Sequence, residues 1–433
     1  MADLKTDRKI KVVFSAYDWA GNISGVSTWI TELLPRLQDF GIESHVDILA
    51  WDSTGFLSET LRQADISCEC TVLTGDTEQR ARGVAERVLR HRPDVYVANN
   101  VLPGLLMSGL LGRLGIPAVG VLHAHEPFYE AVLARFVRGR PQDRLAALVS
   151  VSDDLQRLAV NLNTDRNLHL CQIPCGVSVP AEDPARSVER PLRILYAGRF
   201  TDYQKRISDV ADAMRLVVRQ IPGTRGVLVG DGCDAARVRE ILRSELADGL
   251  VELTGALTPE QTRTKMCDAD IFLLLSDFEG LPVALLEAMG RGLIPIVCRI
   301  RSGVSELVED GRTGLVVDDR AQGVVNAVRT LAGDIAMRRT LSGNARSRVI
   351  NSFSSEVCTR KWVSLIRMLA ESRSRMSADF VLPRKLDLAE PHSDHHPEDT
   401  RLAGSQISAG SQNWWYRLMG QKALRRLKRT IWK

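Results

Sequence analysis

The chain reads as an α/β protein of two doubly wound halves in series, followed by a tail of different character. Short apolar runs alternate with amphipathic helical patterns from Lys11 to Val297, as expected for parallel strands with helices on both faces. A polar, proline-bearing stretch, residues 181–191 (AEDPARSVERP), divides the alternation into two series. The 433 residues suffice for two domains of ordinary size plus a tail.

In the first series, residues 8–185, KVVFSA opens as a strand. The loop YDWAGNISG follows, then a helical pattern from Val26 to Phe40 with Ile30, Leu33, Leu34 and Leu37 on one face. Gly41 ends that helix and SHVDILA is the second strand. GVAERVLRHR then precedes DVYVANN, LLMSGLLGRLG precedes PAVGVLH, and DRLAALVSVS precedes a helix starting near Asp153. The second series, residues 190–352, runs RILYAG, VADAMRLVVRQI, GVLVGDG, AARVREILRSEL, VELTG and then SDFEGLPVALLEAMGRGLIPIV. Residues 353–373 carry the apolar spacing of one more helix. Residues 374–410 have linker composition, and 411–433 (SQNWWYRLMGQKALRRLKRTIWK) a basic, aromatic, amphipathic one.

Hydrophobic residues at 44% and charged residues at 25% describe a soluble globular protein. The formal net charge is +4, yet residues 411–433 alone hold seven basic residues and no acid. The body is therefore slightly acidic, which argues against a nucleic-acid partner. Eight cysteines without a CxxC pair read as reduced thiols. The amino terminus, MADLKTDRKIK, lacks an apolar signal core, and no run approaches a membrane span. These features set the expectation of a cytoplasmic enzyme body.

The segment from Ser276 to Val297 carries the most chemistry. Ile271–Leu275 reads as a buried strand, Pro282 as the first residue of a helix, and Gly292 as its end. Glu279 and Gly280 thus fall at the carboxyl end of a strand and the amino end of a helix, where ligands bind in open α/β sheets. Free N–H groups there attract phosphate. Carboxylates repel it, so Glu279 and Glu287 suit sugar hydroxyls.

Glu279-Gly280 and Glu287-Ala288-Met289 together resemble the signature of the family 4 retaining glycosyltransferases of the GT-B fold. The resemblance spans roughly residues 10 to 372. It implies two Rossmann-like domains facing a cleft, an N-terminal acceptor domain and a C-terminal nucleotide-sugar domain. It also implies a last helix crossing back to the first domain. By the same resemblance Glu279 contacts the transferred sugar, Glu287 holds the ribose, and Gly280, Leu281 and Pro282 line the nucleotide-sugar site. AGRFTDYQKR is similar to the family's GR…K element, which assigns Arg199 and Lys205 to the diphosphate and Gly198 to nucleotide-sugar binding. Their cations would stabilise the leaving group.

His123 ends the strand PAVGVLH, and a histidine there contacts the donor sugar in the family; His125 and Glu126 follow it. Ser24-Gly25 stands where the family has Gly-Gly. Gly25 is assigned to nucleotide-sugar binding, with a plain strand-to-helix turn as the competing reading. Gly230-Asp231-Gly232 resembles the glycine-rich turn near the base and phosphates, Ser302-Gly303 fits a nearby loop, and Ser152 resembles a hinge serine. No cofactor and no metal are expected. Asp268-Ala269-Asp270 precedes its strand instead of following it, and His45, His91 and His169 show no ligand spacing.

The lead function is therefore a retaining, hexosyl-transferring glycosyltransferase. It would use a UDP- or GDP-linked donor and a glycan or lipid-linked acceptor in cell-surface polysaccharide or glycoconjugate synthesis, peripheral on the inner face of the plasma membrane. A catalytically silent GT-B scaffold that recruits partners through its tail is the alternative. Tyr416, Ala423, Leu424, Leu427 and Ile431 form one helical stripe, flanked by Trp414, Trp415 and Trp432. Such a helix suits an anionic membrane surface, with packing on the body as the competing reading. His392, His395 and His396 read as flexible linker.

Overall fold

A computed structural model describes residues 9–372, apart from 22, 51–52, 126, 164–166, 183, 185–189 and 301, together with 382–388. The 411–433 helix, the three tail histidines and most of the 374–410 span lie outside the described residues.

Among the described residues thirteen strands build two parallel sheets. The first holds β1 (Ile10–Asp18), β2 (Ile42–Ala50), β3 (Ser67–Val72), β4 (Val95–Ala98), β5 (Ala118–Leu122), β6 (Ala147–Ser150) and β7 (His169–Gln172), in the order β3-β2-β1-β4-β5-β6-β7. The second holds β8 (Leu192–Ala197), β9 (Thr224–Val229), β10 (Val251–Gly255), β11 (Ile271–Leu274), β12 (Ile294–Cys298) and β13 (Leu315–Val317), in the order β10-β9-β8-β11-β12-β13. In each sheet the chain winds outward to one edge and then returns to build the other half. The winding reverses between β1 and β4 and between β8 and β11, and the carboxyl ends flanking such a reversal form a crevice.

Parallel strands covered on both faces need continuous apolar runs. Val95–Ala98, Ala118–Leu122, Ile271–Leu274 and Ile294–Cys298 are buried throughout. Between sheet and helices of the second half, Tyr196, Met214, Leu228, Leu273, Ile296 and Val328 share one core.

Sequence signals for helix ends hold well. Ser24 caps the helix Gly25–Gln38 in a reciprocal capping box with Ser27, and Gly41 follows it at φ +75°. At the glutamate segment the helix begins one residue later than expected. Pro282 is extended (φ −73°, ψ 105°) and serves as N-cap to Val283–Gly290. Gly292 follows at φ +76°, as a left-handed terminator.

The last long helix, Ser355–Ser372, packs on the first half. Trp362 is fully buried, its ring centroid 5.7 Å from Trp29 and 6.2 Å from Phe14. Where the chain passes between halves its two crossings run side by side: Val177 N–H donates to Phe353 O (3.0 Å) and Ser355 N–H to Val177 O (2.9 Å).

Part of the stretch expected as linker is fixed. Residues 382–388 lie along the helix Thr77–His91, where Glu78 accepts from Leu386 N–H (2.8 Å) and Arg82 donates to Pro383 O and Arg384 O (2.8 Å each). Leu386, buried, anchors the contact; the short run LPRKLDL inside a stretch of linker composition was too little signal to expect it. Among the described residues no helix is long and apolar enough to cross a membrane.

Candidate functional site

The carboxyl ends of β8 and β11 flank the reversal of the second sheet, and the expected cation and carboxylate meet there. After β8, Gly198-Arg199-Phe200 turns into the short helix Asp202–Lys205. After β11, Ser276 to Pro282 forms the loop into the glutamate helix. Lys205 Nζ lies 2.6 Å from Glu279 Oε1, and Ser276 Oγ donates to the same oxygen at 2.7 Å. Glu279 is buried, yet Oε2 takes neither of these bonds.

Gln204 fastens the two loops together. Its carbonyl accepts from Asp277 N–H (2.9 Å), its amide donates to Phe278 O (3.2 Å), and its Oε1 accepts from Arg199 Nη2 (3.1 Å). The Arg199 residue is exposed beside this pair. Tyr196, buried in β8, donates its hydroxyl to Arg199 O (2.9 Å) and so holds the turn from below; burial pushes its own pKa up.

Backbone seats against backbone at two glycines. Gly230 has φ +141°, and a β-carbon there would meet Gly198 O at 1.9 Å. The Gly230–Gly232 turn therefore lies directly on the Gly198–Phe200 turn, with Phe200 N–H donating to Asp231 O (2.8 Å). At Gly280 a β-carbon would meet His123 O at 1.7 Å. The Glu279-Gly280 loop is thus pressed against the carboxyl end of β5 from the first half. Gly280 O also accepts from Gly303 N–H (2.8 Å), and a β-carbon on Gly303 would approach Ser152 Cβ at 3.0 Å. Ser152 itself caps the helix Asp153–Leu162. Gly25 faces the start of the glutamate helix, where a β-carbon would stand 3.1 Å from Val283 Cγ2.

His123 leaves β5 toward this junction. Its Nε2 is 2.6 Å from Asn99 Oδ1 and its ring meets Trp29 edge-on at 5.4 Å. Burial lowers its pKa to about 3, so the imidazole is neutral at pH 7. For Asn99 Oδ1 to accept, the proton sits on Nε2 and Nδ1 keeps its lone pair. His125 is more exposed, beside the Glu130 carboxylate at 3.4 Å.

Glu287 is buried one turn into its helix, and burial raises its pKa. Arg263 Nη1 reaches Glu287 Oε1 at 3.3 Å and Glu32 Oε1, on the first helix of the other half, at 3.4 Å. Glu287 thus sits in a three-member ion group spanning the halves. Leu281 and Pro282 are buried beneath the loop. Asp270 is tied to Arg190 (2.8 Å) and to Arg193 N–H (2.8 Å) at the amino ends of the strands, away from Glu279.

Trp29, Asn99, Arg263, Gln204 and Ser276 were not anticipated. Asn99 directly follows β4, a position that topology alone marks as a crevice residue. Arg263 gave no signal, because PEQTRTKMC reads as a solvated helix.

Residues 191–334 match the family described as glycosyl transferases group 1. WcaL of Escherichia coli, a protein named for colanic acid biosynthesis, is 31% identical over 200 residues, which are 43% of this chain and 47% of that protein. The amylovoran biosynthesis glycosyltransferase AmsK of Erwinia amylovora is 30% identical over 191 residues, 42% of this chain and 46% of its own length. The chain thus spans about half the length of these curated relatives. The crystal structure of Anabaena HepE in complex with UDP and glucose superposes with a TM-score of 0.66 at 17% identity, over 83% of this chain and 100% of that one. The fold is therefore GT-B, and residues 191–334 are a glycosyl transferases group 1 domain.

Proposed function

We propose that the chain is a retaining glycosyltransferase that moves a hexosyl group from a nucleotide sugar to a glycan or lipid-linked acceptor in polysaccharide or glycoconjugate synthesis. The observation that carries this reading is the Lys205–Glu279 pair at the β8/β11 reversal. A cation there can take a phosphate oxygen of the leaving diphosphate. Glu279, released from it, can take sugar hydroxyls.

Arg199, exposed one turn away, supplies a second cation, so the developing diphosphate charge is met by side chains without a metal. Glu287, reached once Arg263 gives way, suits the ribose hydroxyls. Gly198 and Gly230 let the backbone come close to the phosphates, with Gly25 facing them from the first half. Neutral His123 offers Nδ1 to a sugar hydroxyl as an acceptor. With so low a pKa it is too weak a base to hold the acceptor proton at pH 7, so in a retaining transfer on one face of the sugar the departing phosphate itself takes that proton.

Several relatives are named for polysaccharide synthesis, and HepE was crystallised with UDP. Both support a UDP- or GDP-linked donor. The 411–433 segment suits an anionic membrane surface on its sequence alone.

The test is transfer from UDP- and GDP-sugars to lipid-linked and free glycan acceptors, with EDTA, followed by NMR of the product anomer. An α-linked product from an α-linked donor, formed in EDTA, supports the reading. An inverted product or strict dependence on a divalent ion refutes its mechanism. Absence of both transfer and donor hydrolysis favours the silent scaffold.

A further inference from the structure

The first sheet carries a second cluster, remote from the crevice, that the sequence spacing hid. In the parallel register His45 of β2 lies opposite Ser67 of β3, and Asp47 opposite Glu69. Paired residues point to one face, and so do residues two apart along a strand, so His45, Ser67, Asp47 and Glu69 share a face. The helix Thr77–His91 packs over that face and ends at His91. Arg87 of this helix clamps Asp47 at 2.5 Å, which fixes the final turn above β2. His91 then stacks on His45 with ring centroids 3.6 Å apart. Glu69 and His91, 24 and 46 positions distant from His45, are thereby gathered, which no short motif could reveal.

We propose that His45, Glu69 and His91 form a divalent-cation site of the zinc type. One ligand atom from each lies within 4.8 Å of the other two. A tetrahedral ion with bonds of about 2.1 Å holds its ligands roughly 3.4 Å apart, so the set closes when the ligand atoms draw together and the half-buried His91 ring turns out of its stack to aim a lone pair at the ion.

A second, independent observation points the same way. His45 is 8% exposed, and its Nε2 is buried with no hydrogen-bond partner among the described residues. Such an orphan is costly unless something binds it. The other ring nitrogen, Nδ1, lies 2.8 Å from Ser67 Oγ. With Nδ1–H donating to that hydroxyl, Nε2 presents its lone pair, the arrangement that second-shell partners impose on metal-bound histidines.

Glu69 is also held by Arg90, 3.0 Å from both carboxylate oxygens. Each oxygen retains a lone pair for an ion, and Arg90 competes for the carboxylate. Glu69 is 38% exposed, which gives an ion its entry path. Two histidines and one carboxylate leave a fourth position to water. The helix end lies toward the amino ends of the strands, opposite the crevice. The site therefore ties β2, β3 and the helix together and takes no part in transfer.

The experiment uses the full chain, metal-free, with His392, His395 and His396 replaced by alanine so that the tail does not report. Zn2+ is titrated by calorimetry, and Co2+ by visible absorption. One equivalent of Zn2+ should bind and raise Tm with concentration, and Co2+ should give the intense bands of a tetrahedral site. Glu69→Gln and His91→Ala, both at partly exposed positions, should each weaken binding at least tenfold. Ser67→Ala should do so by about ten- to a hundredfold. Arg90→Ala should leave affinity equal or tighter. No saturable binding, or stoichiometric binding unchanged in both Glu69→Gln and His91→Ala, overturns the proposal.

Discussion

Lys205 Nζ stands 2.6 Å from Glu279 Oε1, so the cation expected for the diphosphate and the carboxylate expected for the sugar neutralise one another. Their elements are 74 residues apart in sequence and adjacent only because β8 and β11 are neighbours across the reversal. The pair is a ready state: Glu279 is buried and Lys205 half-buried, each with a partner that a ligand can replace.

Removing the lysine strands a buried carboxylate. Lys205→Ala should lower stability by about 1–3 kcal/mol and cut turnover by roughly a hundredfold or more. Urea denaturation and transfer rates check the two effects separately. Arg199→Ala, at an exposed position, should lower turnover with stability nearly unchanged.

Arg263 links Glu287 to Glu32 across the halves. Glu287→Ala should weaken nucleotide-sugar binding by roughly tenfold, about 1.4 kcal/mol, as read by calorimetry. Arg263→Ala should destabilise the fold, because Glu287 is left buried without its nearest cation. Glu32→Ala, which removes only the more distant carboxylate, should be milder.

Burial holds His123 at about 3, below the ordinary histidine value of 6.5. The unfolded chain therefore binds a proton that the folded chain refuses. The stability this group contributes is complete above pH 6.5 and is lost as pH falls toward 3, by up to about 1.4 kcal/mol per pH unit. Glu306, raised by burial to about 7, acts in the opposite sense, gaining relative stability as pH falls through 7. The difference between wild type and His123→Asn isolates the histidine. The variant's Tm should fall less steeply between pH 6.5 and pH 4.

Trp362 joins the last helix to Trp29 and Phe14, and among the described residues its indole N–H has no hydrogen-bond partner. Trp362→Ala should cost about 3–5 kcal/mol. Trp362→Phe should cost clearly less, since it removes the orphaned N–H along with the lost volume. Chemical denaturation of both variants orders them.

The fold was legible because parallel strands buried on both faces print unbroken apolar runs, and helix-ending glycines such as Gly41 and Gly292 print their conformations. Glu279, Glu287, Arg199 and Lys205 stood out because strand ends and motif spacing are local. Arg263 and Gln204 were silent, since their roles depend on which loops meet. The histidine cluster was silent for the same reason: spacing fails where register and a helix end supply the neighbours. Residues 382–388 were misread because a single buried Leu386 and backbone-directed bonds hold them.

The central claim is a nucleotide-sugar site at the β8/β11 crevice. Thermal-shift titration of wild type and Glu287→Ala with UDP, GDP, ADP and TDP in EDTA tests it most directly. The account predicts selective stabilisation of the wild type by one nucleotide, approaching ~2.7 kcal/mol at a hundredfold excess over Kd, and a clear loss in the variant. No stabilisation by any nucleotide or nucleotide sugar, with EDTA or with magnesium, would contradict it.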